Sequence, residues 1–271
     1  MQERLILLLE AIAGANAPVT VAELTRVTGF PKASIYRNIG SLVDCGFVEE
    51  TEDGSRYVLG MRFVKIALTG KSDAHVIKAV SPLMYRVAKD TAETSFLARF
   101  RGGRVDLVHV EMPTDPTVSF IYPGLGARPA HACSSAKAIA AFILPELREQ
   151  LLDAQMDRFT GRTITTRSDF DLELNRVRRD GYALCDGEID EGVTSVAVPI
   201  GIERLGAVFS IGVVGPQARI LPNLQDRILP VLNAEAIRAA AAIQHCSVTE
   251  AETTNRGALS DVKPKDEHMP H

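Results

Sequence analysis

Two short helical segments on either side of a glycine turn, within residues 19–50, constrain the fold of this chain more than any other feature. Thr20 and Glu23 have the spacing of a capping box, which starts a helix, and Gly29 supplies the turn after it. Pro31 suits the first turn of a second helix, where a missing N–H is tolerated. Apolar residues of that second helix recur at the helical period: Ile35, Ile39, Leu42 and Val43. The pattern predicts two helices joined by a tight turn.

The face of the second helix opposite this apolar stripe is small, polar and singly basic. At about 100° per residue, it carries Ala33, Ser34, Arg37, Gly40, Ser41 and Asp44, with Tyr36 and Asn38 on its flanks. Small residues let a helix approach a duplex closely, hydroxyls donate to phosphates or bases, and an arginine binds a guanine edge or a phosphate. A solvated face of a helical hairpin is the alternative interpretation.

A hairpin is predicted directly after the second helix. The runs Phe47–Val48 and Tyr57–Leu59 are strand-like and flank a turn at residues 52–55. Helix, turn, helix and hairpin is the order of a winged helix-turn-helix, which reads DNA with its second helix. The candidate DNA-binding residues are therefore Thr20, Lys32, Ala33, Ser34, Tyr36, Arg37, Asn38, Ser41 and Arg56.

This part of the chain resembles the IclR family of bacterial transcription regulators. The resemblance is carried by TGFPKASIYRNIGSLVDCGFVE at residues 28–49 and by YVLG at residues 57–60, and it extends to about residue 246. It implies an α+β protein whose winged helix-turn-helix, residues 1–60, is joined by a linker helix, residues 61–74, to a GAF-like effector-binding domain. That domain is expected to span residues 75–246 around a central antiparallel sheet, with a disordered polar tail at residues 247–271.

The predicted DNA-binding unit, residues 1–60 (the DNA reader), has an unusual net charge for a DNA-binding protein. Residues 1–60 carry five basic and eight acidic side chains, so this segment has a net charge of −3. A single reader without a basic footprint binds DNA weakly. We therefore expect a homodimer or a dimer of dimers on a pseudo-palindromic double-stranded operator, with half-sites about one helical turn, or a multiple of it, apart.

The whole-chain composition is that of an ordinary globular protein. With 271 residues and a net charge of −4, the chain is long enough for two cores and has no global attraction to nucleic acid or membrane. No apolar run reaches the roughly 20 residues that span a bilayer, and the N-terminus lacks signal-peptide character. A cytoplasmic protein without a membrane partner is expected. Cys45, Cys133, Cys185 and Cys246 form no CxxC, so no metal site, cofactor or disulfide framework is predicted.

Beyond residue 60 the periodicity predicts a mixed order of helices and strands. The predicted helices are Met61–Lys71, His75 to about Thr91 with an interruption at Pro82, Ser134–Phe142, Pro145–Ala154, Phe170–Asp180 and Asn223–His245. The predicted strands are Thr94–Phe100, Arg104–Glu111, Val118–Tyr122, Tyr182–Leu184, Ser195–Gly201 and Gly206–Val214. This order is typical of an α+β domain with one sheet.

A first candidate effector site is the segment His131–Ala138, which resembles a family motif of histidine, small residues, then Ser-Gly-Lys-Ala. As a helix N-terminus it offers N–H groups and hydroxyls to a carboxylate. Its candidate effector contacts are His131, Ala132, Cys133, Ser134 and Ser135. The alternative for Ser134 and Ser135 is that they simply cap the helix. Ala136 stands where the family usually has glycine, and its methyl group narrows the approach of a ligand to the backbone. Lys137 is expected to be a solvated surface lysine rather than an anion contact.

A second candidate effector site is the loop that contains Cys185, Asp186 and Glu188. The resemblance places polar contacts of small-acid sensors at Cys185, Ser195, Gly212 and Val214, three of which are weakly polar or apolar here. Since a buried ligand group without a partner costs about 1–3 kcal/mol, this departure predicts an effector that is larger, flatter or more hydrophobic than pyruvate-like acids. Glu188 is alternatively a structural acid that accepts backbone N–H groups.

Aromatic residues on predicted strands complete the candidate effector set. Phe96, Phe120 and Tyr122 have the character to pack against an aromatic ring of a ligand, although core packing is the alternative for each. His109 is expected to be an internal, hydrogen-bonded histidine.

The sequence thus predicts a DNA-binding transcription regulator, expected to repress a catabolic operon, with a small organic or aromatic acid as effector. Two other function classes stay open at this point. An enzyme would use Cys133 or Ser134 as nucleophile with His131, His109 and an acid such as Asp186, and a thiol redox sensor would use Cys133 or Cys185. No common catalytic motif supports the enzyme, so no catalytic residue is assigned.

Overall fold

The computed structural model describes residues 2–15, 17–63, 66, 72–115, 121–152, 155–202 and 206–245. Within these ranges, no helix combines the length and the apolar character needed to cross a membrane. The described chain contains an N-terminal helical unit with a two-stranded hairpin, followed by a larger unit around a six-stranded sheet.

The N-terminal unit is a winged helix-turn-helix, as predicted. It consists of α1 (Gln2–Ala13), α2 (Val21–Thr28), α3 (Lys32–Asp44), β1 (Val48–Glu50) and β2 (Tyr57–Leu59). The predicted capping box starts α2, because the carboxylate of Glu23 accepts the backbone N–H of Thr20 at 2.7 Å and the hydroxyl of Thr20 accepts the N–H of Glu23 at 3.3 Å. Gly29 ends α2 with a left-handed φ of 70°.

The core of this unit forms where the three helices and the hairpin meet. Leu8, Leu24, Ile35, Ile39 and Val48 are at most 1% exposed and belong to one hydrophobic cluster. The apolar stripe predicted for α3 therefore faces inward, and the opposite face of α3 is turned to solvent.

The chain leaves this unit through a close crossing of two backbone segments. The N–H of Gly60 donates to the carbonyl of Phe47 at 2.8 Å, and a Cβ atom at Gly60 would collide with the Gly46 carbonyl. Residues 61–63 and 66 are helical. The predicted connecting helix thus begins where expected, and its residues 64, 65 and 67–71 lie outside the described residues.

The larger unit is built on an antiparallel sheet with the strand order β5-β4-β3-β8-β7-β6. Its strands are β3 (Thr94–Arg101), β4 (Arg104–Glu111), β5 (Gly126–Arg128), β6 (Ala183–Asp186), β7 (Val193–Ile202) and β8 (Gly206–Pro216). The predicted β3–β4 hairpin is present, with Ser95 opposite Glu111 and Arg101 opposite Arg104. The short strands β5 and β6 form the two edges.

Helices cover both faces of this sheet. They are α4 (Asp73–Thr91), α5 (Ser134–Phe142), α6 (Pro145–Leu152), α7 (Arg167–Asp180), α8 (Gln217–Ile220) and α9 (Leu229–His245). On β8, the hydroxyl of Ser210 donates to the carbonyl of Ser135 in α5 at 3.0 Å. The neighbouring Phe209 lies below the guanidinium of Arg99, which pairs with Asp73 of α4. Because successive strand residues point to opposite faces, α5 and α4 lie on opposite sides of the sheet.

Several sequence predictions for this unit were wrong. Pro82 does not interrupt α4, which runs through it from Asp73 to Thr91. The last helix runs without a break from Leu224 to His245, close to the predicted bounds, but its first turn, Leu224–Ile228, is π-helical and brings Leu224, Ile228 and Leu229 all to buried positions. Ile121 and Tyr122 are not in a strand, and residues 116–120 of the predicted strand lie outside the described residues. The strand that pairs with β4 is instead β5, which the sequence did not reveal.

Candidate nucleic-acid interface and ligand cavity

The solvent face of α3 carries most of the predicted DNA-binding residues. Exposed side chains there are Lys32, Ala33, Tyr36, Arg37 and Ser41, whereas Ser34 is half-buried. Asn38 is a correction, because it is only 4% exposed, and its amide lies 3.5 Å from the hydroxyl of Ser34 inside the unit. The helical angle placed Asn38 on the flank of the face, but the flank is covered by the neighbouring elements.

A groove of about 310 Å³ lies beside this face, between the start of α2, the first turns of α3 and the hairpin. Lys32 and Tyr36 line it from α3, and Gly54 and Ser55 line it from the turn between the strands. Thr20 also lines the groove, but its hydroxyl donates to Glu23 at 2.9 Å as part of the capping box. Ser55 was missed by the sequence reasoning, which had treated the turn only as a connector.

The turn between β1 and β2 is rigidly built around one carboxylate. Asp53 accepts hydrogen bonds from the hydroxyls of Thr51 and Ser55 at 2.6 and 2.8 Å, and these bonds lower its pKa to about 2. Arg56 donates to the carbonyl of Pro18 at 3.0 Å while it remains exposed. The hairpin therefore presents a fixed negative charge beside a basic side chain, in keeping with the net charge of −3 counted for residues 1–60.

A cavity of about 190 Å³ lies in the larger unit, between α5 and the strands that curl around its N-terminus. Of the predicted effector contacts, it is lined by Phe96, Tyr122, Cys133, Ser134, Ser135, Cys185, Ser195 and Val214. It is also lined by residues that the sequence analysis did not single out, namely Leu107, Ile121, Pro123, Arg128, Ile189, Asp190 and Val193. The structure thus brings the two candidate effector segments, residues 131–138 and 185–195, to one cavity.

Hydroxyl and thiol groups line the cavity at the start of α5 and along β6 and β7. The hydroxyls of Ser134 and Ser195 lie 2.7 Å apart, which joins the first turn of α5 to β7. Burial raises the pKa of the Cys133 thiol to about 12 and also raises that of Cys185. Both thiols are therefore uncharged near neutral pH, and they line the cavity as small, polarisable groups.

Arg128 is the basic side chain among the described residues that line the cavity. It extends from β5 and is half-buried. Its guanidinium donates to the carbonyls of Pro123 and Gly124 at 2.6 and 2.5 Å. Its positive charge also acts on the Cys133 thiol, whose pKa it lowers against the larger effect of burial. No signal in the sequence pointed to this residue, because β5 itself was not predicted.

Some predicted effector contacts lie elsewhere in the structure. His131 is buried, its Nε2 lies 2.9 Å from the carbonyl of Asp157, and its ring stacks on Phe159 at 5.8 Å between centroids. Ala132 is fully buried, and neither it nor His131 is among the described lining residues. Phe120 lies outside the described residues.

Gly212 does not open the cavity either, because the ring of Phe96 covers it. A Cβ atom at Gly212 would collide with this ring and with the carbonyl of Val196. The space left by the missing side chain at position 212 is therefore filled by protein, and it is not free for a larger ligand.

Asp186 and Glu188 lie on the side of their loop away from the cavity, where both are held by ionic and polar contacts. Asp186 accepts from Thr194, Gln217 and Arg162 at 2.8, 2.7 and 2.9 Å. Glu188 pairs with Lys137 at 2.5 Å. The prediction that they contact the effector is thus not supported by their positions.

Lys137 is the clearest correction to the sequence reasoning, which expected a solvated lysine. It is 0% exposed, and its ammonium contacts Glu188 at 2.5 Å, the carbonyl of Leu184 at 3.0 Å and Glu173 at 3.7 Å. Burial raises the pKa of Glu188, and the ammonium of Lys137 opposes this rise. The pair ties α5, one wall of the cavity, to the β6–β7 loop, the other wall.

Comparison with known proteins decides the family. The family model for the "IclR helix-turn-helix domain" matches residues 3–52. The family model for "Bacterial transcriptional regulator IclR C-terminal" matches residues 70–243, which is more than half of the chain. The chain belongs to the IclR family.

IclR-family relatives cover most of this chain. It is similar to the glycerol operon regulatory protein of Streptomyces griseus, with 28% identity over 82% of this chain and 86% of the relative. It is also similar to the solved structure of a putative IclR transcriptional regulator from Silicibacter sp. TM1040, with 25% identity, a TM-score of 0.59, and coverage of 89% and 95% of the two chains. An IclR homolog from Microbacterium hydrocarbonoxydans, solved in complex with 4-hydroxybenzoate, is 26% identical with a TM-score of 0.54 over 90% and 98%.

Membership of the IclR family identifies the chain as a DNA-binding transcription regulator and not an enzyme. The geometry agrees with this assignment. The residues of the enzymatic alternative do not converge, since Ser134 contacts Ser195, His131 contacts a backbone carbonyl, and His109 lies 3.3 Å from Ser81 and 3.2 Å from Glu111. The thiols proposed for a redox sensor are buried and have raised pKa values.

We predict that Lys137→Met destabilises the effector unit by about 3–5 kcal/mol, because it leaves Glu188 buried without its counter-charge. The measurement is thermal or urea unfolding of the full-length protein. Lys89→Met, at an exposed position of α4, is the control and should shift the stability by less than about 0.5 kcal/mol. Adding Glu188→Gln to Lys137→Met should recover part of the loss, and equal stability of Lys137→Met and wild type would contradict the buried pair.

We also predict that the folded protein protects Cys133 and Cys185 from alkylation by iodoacetamide, since both thiols are buried and protonated. Cys45 is exposed and should react first. Mass spectrometry of the three peptides, before and after unfolding in urea, gives the readout. Rapid labelling of Cys133 or Cys185 in the folded protein would restore the redox-sensor interpretation.

Proposed function

We propose that this IclR-family regulator represses a catabolic operon and leaves its operator when a small organic acid occupies the cavity beside the N-terminus of α5. The observation that carries the proposal is the lining of that cavity. Hydroxyls of Ser134, Ser135 and Ser195 and the guanidinium of Arg128 meet a mainly apolar wall. Such a mixture of a few polar groups with apolar walls is typical of small-molecule sites.

The size of the cavity narrows the class of effector. A cavity of about 150 Å³ holds one benzene ring, so about 190 Å³ suits an acid with one ring or a short chain. This favours the flat or hydrophobic acid of the sequence analysis over a large one. The relative solved with 4-hydroxybenzoate supports an aromatic acid as one member of this class.

On the DNA side, we propose that α3 enters the major groove and that Arg37 and Ser41 face the bases. Lys32, Tyr36 and Ser55 border the groove beside α3, and Arg56 is exposed on the hairpin, which supports contacts of these side chains with the phosphate backbone. Since the net charge of residues 1–60 is −3, one reader gains little from phosphate neutralisation. Two or four copies on a pseudo-palindromic operator would supply the missing affinity.

The proposed mechanism is a population shift between two arrangements of the DNA readers. The effector binds one arrangement better than the other, and residues 61–74, the linker of our proposed domain division, transmit the difference. In this division residues 1–60 read DNA and residues 75–246 form a GAF-like effector domain.

We predict that Arg37→Ala weakens operator binding by about 1–3 kcal/mol, the usual value of one arginine contact to a base pair. Fluorescence anisotropy with a duplex from the promoter next to the gene measures the effect. Arg179→Ala removes an exposed arginine of α7 and is the charge-matched control, which should bind as wild type does. Effector affinity should be unchanged in both variants, and a parallel loss of effector binding in Arg37→Ala would indicate misfolding instead.

We further predict that saturating operator DNA changes the affinity for the acid by the same factor by which the acid changes the affinity for DNA. This equality follows from thermodynamic linkage. A thermal-shift screen of aromatic and aliphatic carboxylates identifies an acid that binds, and calorimetry with and without operator then measures both factors. Equal acid affinity in the two titrations would rule out the proposed control of DNA binding.

A further inference from the structure

Two residues with oppositely charged side chains line the cavity from opposite edges of the sheet. Arg128 lies on β5 at one edge, and Asp190 lies in the loop that follows β6 at the other edge. Because the sheet curls around the N-terminus of α5, both edges border the same cavity of about 190 Å³. A ligand of one ring or a few carbon atoms therefore meets a cation on one side and a carboxylate on the other.

The Arg128 side is suited to a carboxylate. A guanidinium has five N–H donors, and that of Arg128 donates to three carbonyls, those of Pro123, Gly124 and Ala127. These contacts hold the guanidinium in place, so little side-chain entropy is lost when an anion binds to its other donors. The hydroxyls of Ser134 and Ser135 line the same cavity and add donors for a second carboxylate oxygen.

The Asp190 side is suited to a hydrogen-bond donor. An ionised carboxylate accepts hydrogen bonds and donates none. Asp190 is exposed at the mouth of the cavity, and its backbone carbonyl accepts the N–H of Val193, which fixes the turn that carries it. A second carboxylate on the ligand would be repelled here, whereas a hydroxyl or amino group would be bound.

We propose that the effector is a monocarboxylic acid whose far end carries a hydrogen-bond donor, with the carboxylate at Arg128 and the donor at Asp190. This inference rests on the proposed function of the cavity as the effector site. It excludes dicarboxylates as preferred effectors, and it ranks a hydroxy acid above the same acid without the hydroxyl.

The test is isothermal titration calorimetry of the full-length protein without DNA. One probe series is benzoate, 4-hydroxybenzoate and terephthalate, and the second is butyrate, 4-hydroxybutyrate and succinate. In at least one series the hydroxy acid should bind about fivefold more tightly than the unsubstituted acid, the usual effect of one hydrogen bond. The dicarboxylate should bind more weakly than either.

Substitutions of Asp190 and Arg128 test which end of the ligand each residue binds. Asp190→Ala should erase the preference for the hydroxy acid and improve binding of the dicarboxylate, while Glu191→Ala, which removes the neighbouring exposed acid, should keep the wild-type ranking. Arg128→Gln should weaken all three acids of a series by about tenfold or more, the effect of a charge-assisted bond. Arg128→Lys keeps the charge and should retain part of the affinity.

Three outcomes would overturn the proposal. They are a dicarboxylate that binds wild type best, the absence of any advantage for the hydroxy acid in both series, and a ranking that Asp190→Ala leaves unchanged. None of these outcomes would contradict the proposed regulatory function if another acid still released the protein from its operator. Conversely, the predicted rankings without any effect on DNA binding would contradict the proposed function and leave the ligand assignment intact.

Discussion

The buried pair of Lys137 and Glu188 holds together the two walls between which the cavity lies. Lys137 belongs to α5, and Glu188 belongs to the β6–β7 loop, so the 2.5 Å contact fixes the distance between these walls. An unpaired charge at either position would be costly in this environment, since both side chains are almost entirely removed from water. The same loop presents Ile189 and Asp190 to the cavity. The shape of the cavity therefore depends on an ion pair that does not itself line it.

The DNA-reading unit is organised by a different principle, in which local bonds within short segments replace long-range charge pairs. The capping box of Thr20 and Glu23 sets the start of α2, and the hydrogen bonds of Asp53 set the turn of the hairpin. These contacts use acidic groups, which explains how the unit is well defined and yet negatively charged. A negative net charge limits sequence-independent attraction to DNA, because contacts between basic side chains and phosphates supply most of non-specific binding.

Periodicity and capping signals predicted the elements that are held by local contacts or whose two faces differ strongly in hydrophobicity. The stripe of α3, the β3–β4 hairpin and the start of α5 belong to this group. Contacts between distant segments were not predictable, because sequence spacing does not show what faces a residue. Lys137 was expected on the surface for this reason, and it is buried against Leu184 and Glu188, which are remote in the chain. Asn38, expected on the flank of the DNA-binding face, is also buried. Arg128 and Asp190 were missed because only the curled sheet brings its two edges to one cavity.

The central strand β8 gives the effector unit a mechanical property. Residues Ala207–Gly215 are buried on both faces, with Val214 at the cavity and Phe209 below Arg99, which holds Asp73 at the start of α4. Apart from the cavity beside Val214, a close-packed strand of this kind has little free volume into which it can yield. A displacement of β8 at its cavity face is therefore expected to act on its opposite face, against Arg99 and the start of α4.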